Sequence, residues 1–239
     1  MLCIVSRFLV VLLLAQSLTA LAQTCDRPKD ASARGIAAQS DEARLAFLSK
    51  LLMEESGRAR TWTLTWGATY GALTVAQLAV MPLFPKEEQP DWYWGAFSTA
   101  VGVAFSVIDP LEVRDEGPIF AQRARTADAN DTCKLIAEGE RMLEVGAAHE
   151  HSGVQWYIHA ANVLFNVGLG LVLGFGYGRW TSGLINMGIG TAIGEATIFS
   201  SPTHLISGWK HYREGEAPPA VTFRLVPTAG PGVGVMLEF

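Results

Sequence analysis

Charge is scarce in this chain. Lysine, arginine, aspartate and glutamate make up 17% of its 239 residues, against about 25% in an ordinary soluble domain. Nearly half of the chain is hydrophobic (49%), and the mean hydropathy is +0.23. That balance points to a membrane class. Basic clusters are lacking too. The formal net charge is −5, and no basic run interleaved with aromatics occurs, which excludes a nucleic-acid partner. Catalytic signatures are also missing: there is no P-loop, dinucleotide fingerprint, nucleophile elbow, H-E-x-x-H or C-x-x-C. The glycine-rich stretch from Gly168 to Gly178 lies inside an apolar segment with no Lys-Ser/Thr after it, so it reads as packing rather than a phosphate cradle. No cofactor and no metal are expected, and the reading leans away from an enzyme.

Export is the first positive signal. Arg7 precedes the short apolar run Phe8 to Ala15, and Ala20-Leu21-Ala22 has the A-x-A form of a cleavage site. Residues 1–22 therefore read as a signal peptide. The apolar run is shorter than the ~20 residues that a spanning anchor needs. Mass spectrometry of the purified protein is expected to find Gln23 as the first residue; Met1 retained would favour an anchor instead. Only three cysteines are present, and Cys3 leaves with the signal. The remaining pair, Cys25 and Cys133, is expected to form a disulfide in an oxidising compartment.

The chain then repeats itself. Residues 41–56 read as a helix with Leu45, Leu48, Leu51 and Leu52 on one face and Asp41 as a possible N-cap. Residues 131–148 follow the same pattern through Leu135, Ile136, Met142 and Leu143. After each, a tryptophan (Trp62, Trp156) opens a long apolar segment. Trp92-x-x-Gly95 and Trp180-x-x-Gly183 open the next. The segments close alike, on Gly102 to Pro110 and Gly194 to Pro202. The expected fold is an all-α membrane protein: two tandem repeats of an amphipathic helix plus a transmembrane hairpin, a four-span bundle, with a short C-terminal β-hairpin. The divisions are a signal peptide (1–22), a flexible mature N-terminus (23–40), repeat 1 (41–113), a linker (114–130), repeat 2 (131–212) and a C-terminal tail or hairpin (213–239).

Apolar segments at about 61–83, 92–109, 155–177 and 180–200 could each cross ~30 Å of hydrocarbon. Tryptophans cluster at their ends, as in an aromatic belt. Small residues recur every four positions: Thr63-Gly67-Gly71, Ser98-Gly102-Ser106, Gly170-Gly174-Gly178 and Ser182-Asn186-Gly190-Gly194. Such rows let helix backbones approach closely in lipid. If all four segments cross, the short turns 84–91 and 177–180 hold only Lys86 and Arg179. The other fifteen lysines and arginines of the mature chain fall on the opposite side. That reverses the positive-inside bias. The orientation and the choice between inner and outer membrane thus stay open, within the cell envelope of a bacterium and with the soluble parts on the exported side.

Residues 220–239 read as two β-rich runs around a Pro-Thr-Ala-Gly-Pro-Gly turn. Val233, Val235, Leu237 and Phe239 alternate with Gly234, Met236 and Glu238. This segment resembles the terminal strand of bacterial outer-membrane barrels, although a single hairpin cannot make a barrel of eight or more strands.

Chemistry is best sought in repeat 2. His159, Asn162 and Asn166 share one helix face, and Glu195 in the next segment lies at a similar depth. A carboxylate inside a span demands a partner, and function is the default hypothesis for it. The plainer account is interhelical hydrogen bonding that fixes packing. His149, His151, His204 and His211 form a second, weaker group that reads as surface histidines. The leading expectation is a structural or accessory protein whose partners are the lipid bilayer and other proteins or a second copy. The rival is a small transporter or channel component using Glu195, His159, Asn162 and Asn166. A membrane-embedded enzyme with Glu195 and His159 as an acid–base pair comes third.

Overall fold

The computed structural model describes residues 25–108, 113–128 and 130–215, and the backbone of 222–227 and 233–238. The expected signal peptide and the Asp109-Pro110 end of the second apolar segment lie outside these residues. The described chain is all-α apart from its C-terminal end. Its helices are α1 (Asp41–Val80), α2 (Gln89–Ile108), α3 (Val113–Arg125), α4 (Thr132–Gly153), α5 (Trp156–Leu171), α6 (Trp180–Phe199) and α7 (His204–Glu214). At the C-terminal end, Thr222–Pro227 and Val233–Glu238 run antiparallel, with Thr222 opposite Glu238.

The helix α1 starts where local chemistry permits. The Ser40 hydroxyl accepts from the Ala43 amide, and Asp41 and Glu42 in the first turn suit the helix dipole. Ser40, not Asp41, is the cap. The helix then runs for 40 residues, about 60 Å, without a break between the expected amphipathic helix and the expected span. Only Gly57 in the Ser56–Arg60 stretch disfavours helix, and one glycine costs ~1 kcal/mol. The second half of the chain differs. There α4 stops at Gly153, and Val154 and Gln155 turn the chain into α5.

Residues expected as linker form α3 instead, packed along α1. Pro118 inside α3 cannot donate to the Arg114 carbonyl one turn earlier. The Ser56 hydroxyl of α1 donates to that carbonyl at 2.8 Å, so the proline is tolerated and the two helices are joined. With α4 and α7, these helices bury a helical head around Leu48, Leu52, Phe120, Ile136, Leu143, Leu205 and Tyr212. The helix α7 ends at Gly215, whose φ of 76° is the left-handed stop that glycine accepts without strain. A disulfide joins Cys25 to Cys133 across the head, with Cα atoms 5.0 Å apart.

Beyond the head, α1 pairs with α2, and α5 with α6. Two helical stretches, within Gln89–Arg125 and at Trp156–Gly176, are long and apolar enough to cross a membrane. Only 21% and 28% of their apolar windows are buried in the chain. A core helix of a water-soluble protein would be mostly covered, so the low figures favour a membrane setting. In the second hairpin the helix backbones touch: a side chain on Gly170 would meet the Gly183 carbonyl oxygen at 2.8 Å. Gly71, in another of the small-residue rows, has nothing against it.

Candidate functional site

The helices α5 and α6 place the four polar residues of the second hairpin together. His159 Nδ1 lies 2.5 Å from Glu195 Oε2. Asn162 donates to Glu195 Oε1 at 2.9 Å and to the Thr191 carbonyl at 3.1 Å. Asn166 donates to the Asn162 carbonyl and side-chain oxygens at 2.9 and 3.0 Å. The cluster fits because α6 presents Gly190 against Asn166 and Gly194 against Asn162, where any side chain would collide. Asn166 is 3% exposed, whereas the His159 and Glu195 side chains keep 26% and 24% exposure. The arrangement is a carboxylate–imidazole pair with both carboxylate oxygens hydrogen-bonded and one open edge. It can bind helices together, and it can carry a proton or a small cationic group.

The cluster belongs to a larger polar seam. Trp62 donates to the Thr197 carbonyl, Trp66 to the Ser200 hydroxyl, and the Tyr70 and Thr197 hydroxyls meet at 2.8 Å. These contacts tie α1 to α6 near the head. At the opposite ends, Arg179 grips Asp91 with two hydrogen bonds of 2.7 and 2.5 Å. The turns of the two hairpins therefore lie side by side. Thr74 and Thr99 bond between α1 and α2.

Three of the four histidines are engaged at separate places. His151 meets Gln155, His211 packs on Phe47 and His204 approaches Glu55. The head also holds polar groups that the sequence reading missed. Arg44 is fully buried and bonded to Glu140, Asp41 and Tyr212. Burial pulls its guanidinium pKa down, but the hydrogen bonds to Glu140 and Tyr212 more than offset this and hold it charged. Burial also raises the Tyr212 hydroxyl, which stays neutral and donates to Glu140. Glu55 and Glu150 are buried as well, at 0% and 3% exposure. A periodicity signal existed for all three. Arg44 and Glu55 extend the Leu48–Leu52 stripe by one turn in each direction, and Glu150 follows Leu143 and Ala147 on theirs.

No protein-family model matches this chain, and no curated protein or solved structure matches it either.

Proposed function

We propose that this chain is an exported integral membrane protein with a structural or accessory role: a four-span bundle of two tandem repeats beneath a disulfide-closed head, binding partners by helix packing. The observation that supports it is how the apolar helices divide their surface. Their polar groups bond to one another along the seam, from Thr74–Thr99 to His159–Glu195. Meanwhile Leu64, Val75, Phe105, Leu164, Phe175 and Leu184 each stand more than 60% exposed. A surface of that kind aggregates in water and is at home in lipid or against a partner's helices. A photo-reactive residue at Leu164 or Leu184, activated in intact cells, is expected to yield a discrete protein adduct. Lipid adducts alone would argue against helix-mediated partners.

The open edge of the His159–Glu195 pair favours one second reading, a small transporter or channel component in which that carboxylate carries a charge or a proton. Glu195→Gln separates the two readings. The amide keeps the shape and can still bond to Asn162. In a structural role the change is expected to cost about 0.6 kcal/mol for the altered contact, with no loss of insertion or of the adduct. Transport of any ion across vesicles that this single change abolishes, in a protein that still inserts, would replace the structural reading.

A further inference from the structure

Where α1 leaves the head, a cavity of about 450 Å³ opens between α1 and α3, within the roughly 300–1,000 Å³ of pockets that take small ligands. Arg60, Thr63 and Leu64 of α1 line it, and helical spacing puts these three on one face. Arg114, Asp115 and Pro118 of α3 line the other side. The α1 wall changes character along its length. Arg60 lies on the head side, one turn or about 6 Å from Leu64, which belongs to the exposed apolar surface of the hairpins. Trp62, between the two, donates to the Thr197 carbonyl of α6, so the cavity lies at the level of the expected aromatic belt. Its charges do not cancel, because two cations face one acid. Asp115 accepts from Arg114 Nε at 3.0 Å and from one Arg114 terminal nitrogen at 2.7 Å. The Arg60 charge acts on Asp115 through space, but Arg60 makes no hydrogen bond or close ion pair among the described residues. The Thr63 hydroxyl likewise makes no hydrogen bond among them. Ser56, which also borders the cavity, is committed to the Arg114 carbonyl.

We propose that this cavity holds the phosphodiester headgroup of a glycerophospholipid, with Arg60 on the phosphate and the acyl chains running past Leu64. The inference rests on the membrane reading above. A guanidinium offers a planar fork that matches phosphate oxygens, and such charge-assisted bonds are among the strong ones. Arg114 gives its remaining terminal nitrogen to the same group, and Thr63 supplies a hydroxyl. One net positive charge matches the single negative charge of a phosphodiester. Asp115 is the acid that faces the site. Its grip on Arg114 neutralises it and turns it away from the phosphate. A free inorganic anion would use the charged end alone and leave the apolar end idle, whereas a lipid uses both. Basic pockets at the membrane ends of helices suit headgroups for this reason. A lipid seated here touches α1 and α3 together and fixes the height of the head above the bilayer.

The test uses the full chain in mild detergent, titrated with phosphatidylglycerol and followed by native mass spectrometry. Diacylglycerol with the same acyl chains is the probe that lacks the phosphate. One tightly held phospholipid per chain is expected, with diacylglycerol weaker by about tenfold or more, the usual worth of a charge-assisted hydrogen bond. Arg60→Gln should weaken phosphatidylglycerol by a similar factor. Arg60 is exposed, so this variant is expected to stay folded, and circular dichroism checks it. Lys50→Gln, an exposed charge ten residues earlier on α1, should leave binding unchanged. Equal binding in Arg60→Gln, equal binding of diacylglycerol, or displacement of the lipid by inorganic phosphate would overturn the proposal. Alkaline carbonate extraction of cell membranes separates the two possible failures. Wild-type chain released by carbonate would overturn the membrane reading and the site with it, whereas chain that stays in the membrane but binds equally with and without Arg60 would overturn the site alone.

Discussion

Replacing Arg44 with methionine is expected to destabilise the head by about 3–5 kcal/mol, the usual loss when one partner of a buried ion pair is removed. A guanidinium carries five N–H donors, and here each has a partner. Nε donates to the Tyr212 hydroxyl at 3.2 Å, Nη1 to Asp41 and the Cys25 carbonyl at 2.9 and 3.4 Å, and Nη2 to Glu140 and the Asp26 carbonyl at 2.6 and 2.7 Å. Methionine fills most of the volume but leaves Glu140 without its counter-ion, with only the Tyr212 hydroxyl bonded to it, and the Cys25 and Asp26 carbonyls without their donor. Lysine keeps the charge, but a single ammonium cannot reach five acceptors held in the plane of a fork, so Arg44→Lys should lose nearly as much. The loss is read from the denaturation midpoint of the head, followed through near-ultraviolet dichroism of Trp209, which stacks on Tyr212. The double variant Arg44→Met, Glu140→Leu should fall well short of the sum of the two single changes, since the orphaned charge is gone. An unchanged midpoint in Arg44→Met would mean that the network contributes nothing net.

The second large effect concerns the Cys25–Cys133 bridge. It closes a loop across a sequence separation of 108, for which the chain-entropy account gives about 5 kcal/mol. Reduction, or Cys133→Ser, is therefore expected to lower the unfolding midpoint of the head sharply and to release residues 25–40 to protease. Cys25 is itself buried, and its amide donates to Asp41 at 2.9 Å, so the bridge and the Arg44 network anchor the same strip of chain. Protein isolated without reductant should show a faster band on non-reducing gels and resist alkylation. Two freely labelled thiols in such a preparation would rule the bridge out.

The hairpin cluster was legible because its partners obey short-range rules. His159, Asn162 and Asn166 fall on one face by helical spacing alone, and a lone acid in an apolar segment advertises the need for a partner. The cysteine pairing followed from a count of two. What escaped was set by contacts distant in sequence. The helix α3 carries a proline and a charged first turn, and the Ser56 hydroxyl that makes Pro118 tolerable lies 58 residues from Arg114. The continuity of α1 escaped because the sequence was divided where hydropathy changes, although backbone geometry does not register that change. Arg44, Glu55 and Glu150 were passed over as polar, although each occupies a stripe position that the neighbouring leucines or alanine define.

The unbroken α1 also imposes a rotational phase. Each residue advances a helix by about 100°, and nothing between Asp41 and Val80 resets that angle. The direction in which Leu48 and Leu52 face inside the head is thus geared to the direction in which Thr74 faces α2. One residue added between Gly57 and Arg60 would swing the head a quarter-turn or more against the hairpins and tear Trp62, Trp66 and Tyr70 from α6. Four added residues would nearly restore the facing and only lift the head by about 6 Å. The second half of the chain has a slip joint instead, at Val154 and Gln155, where an added residue can be taken up by the turn. Changes of length between head and hairpins should therefore be admitted on one side of the molecule and refused on the other.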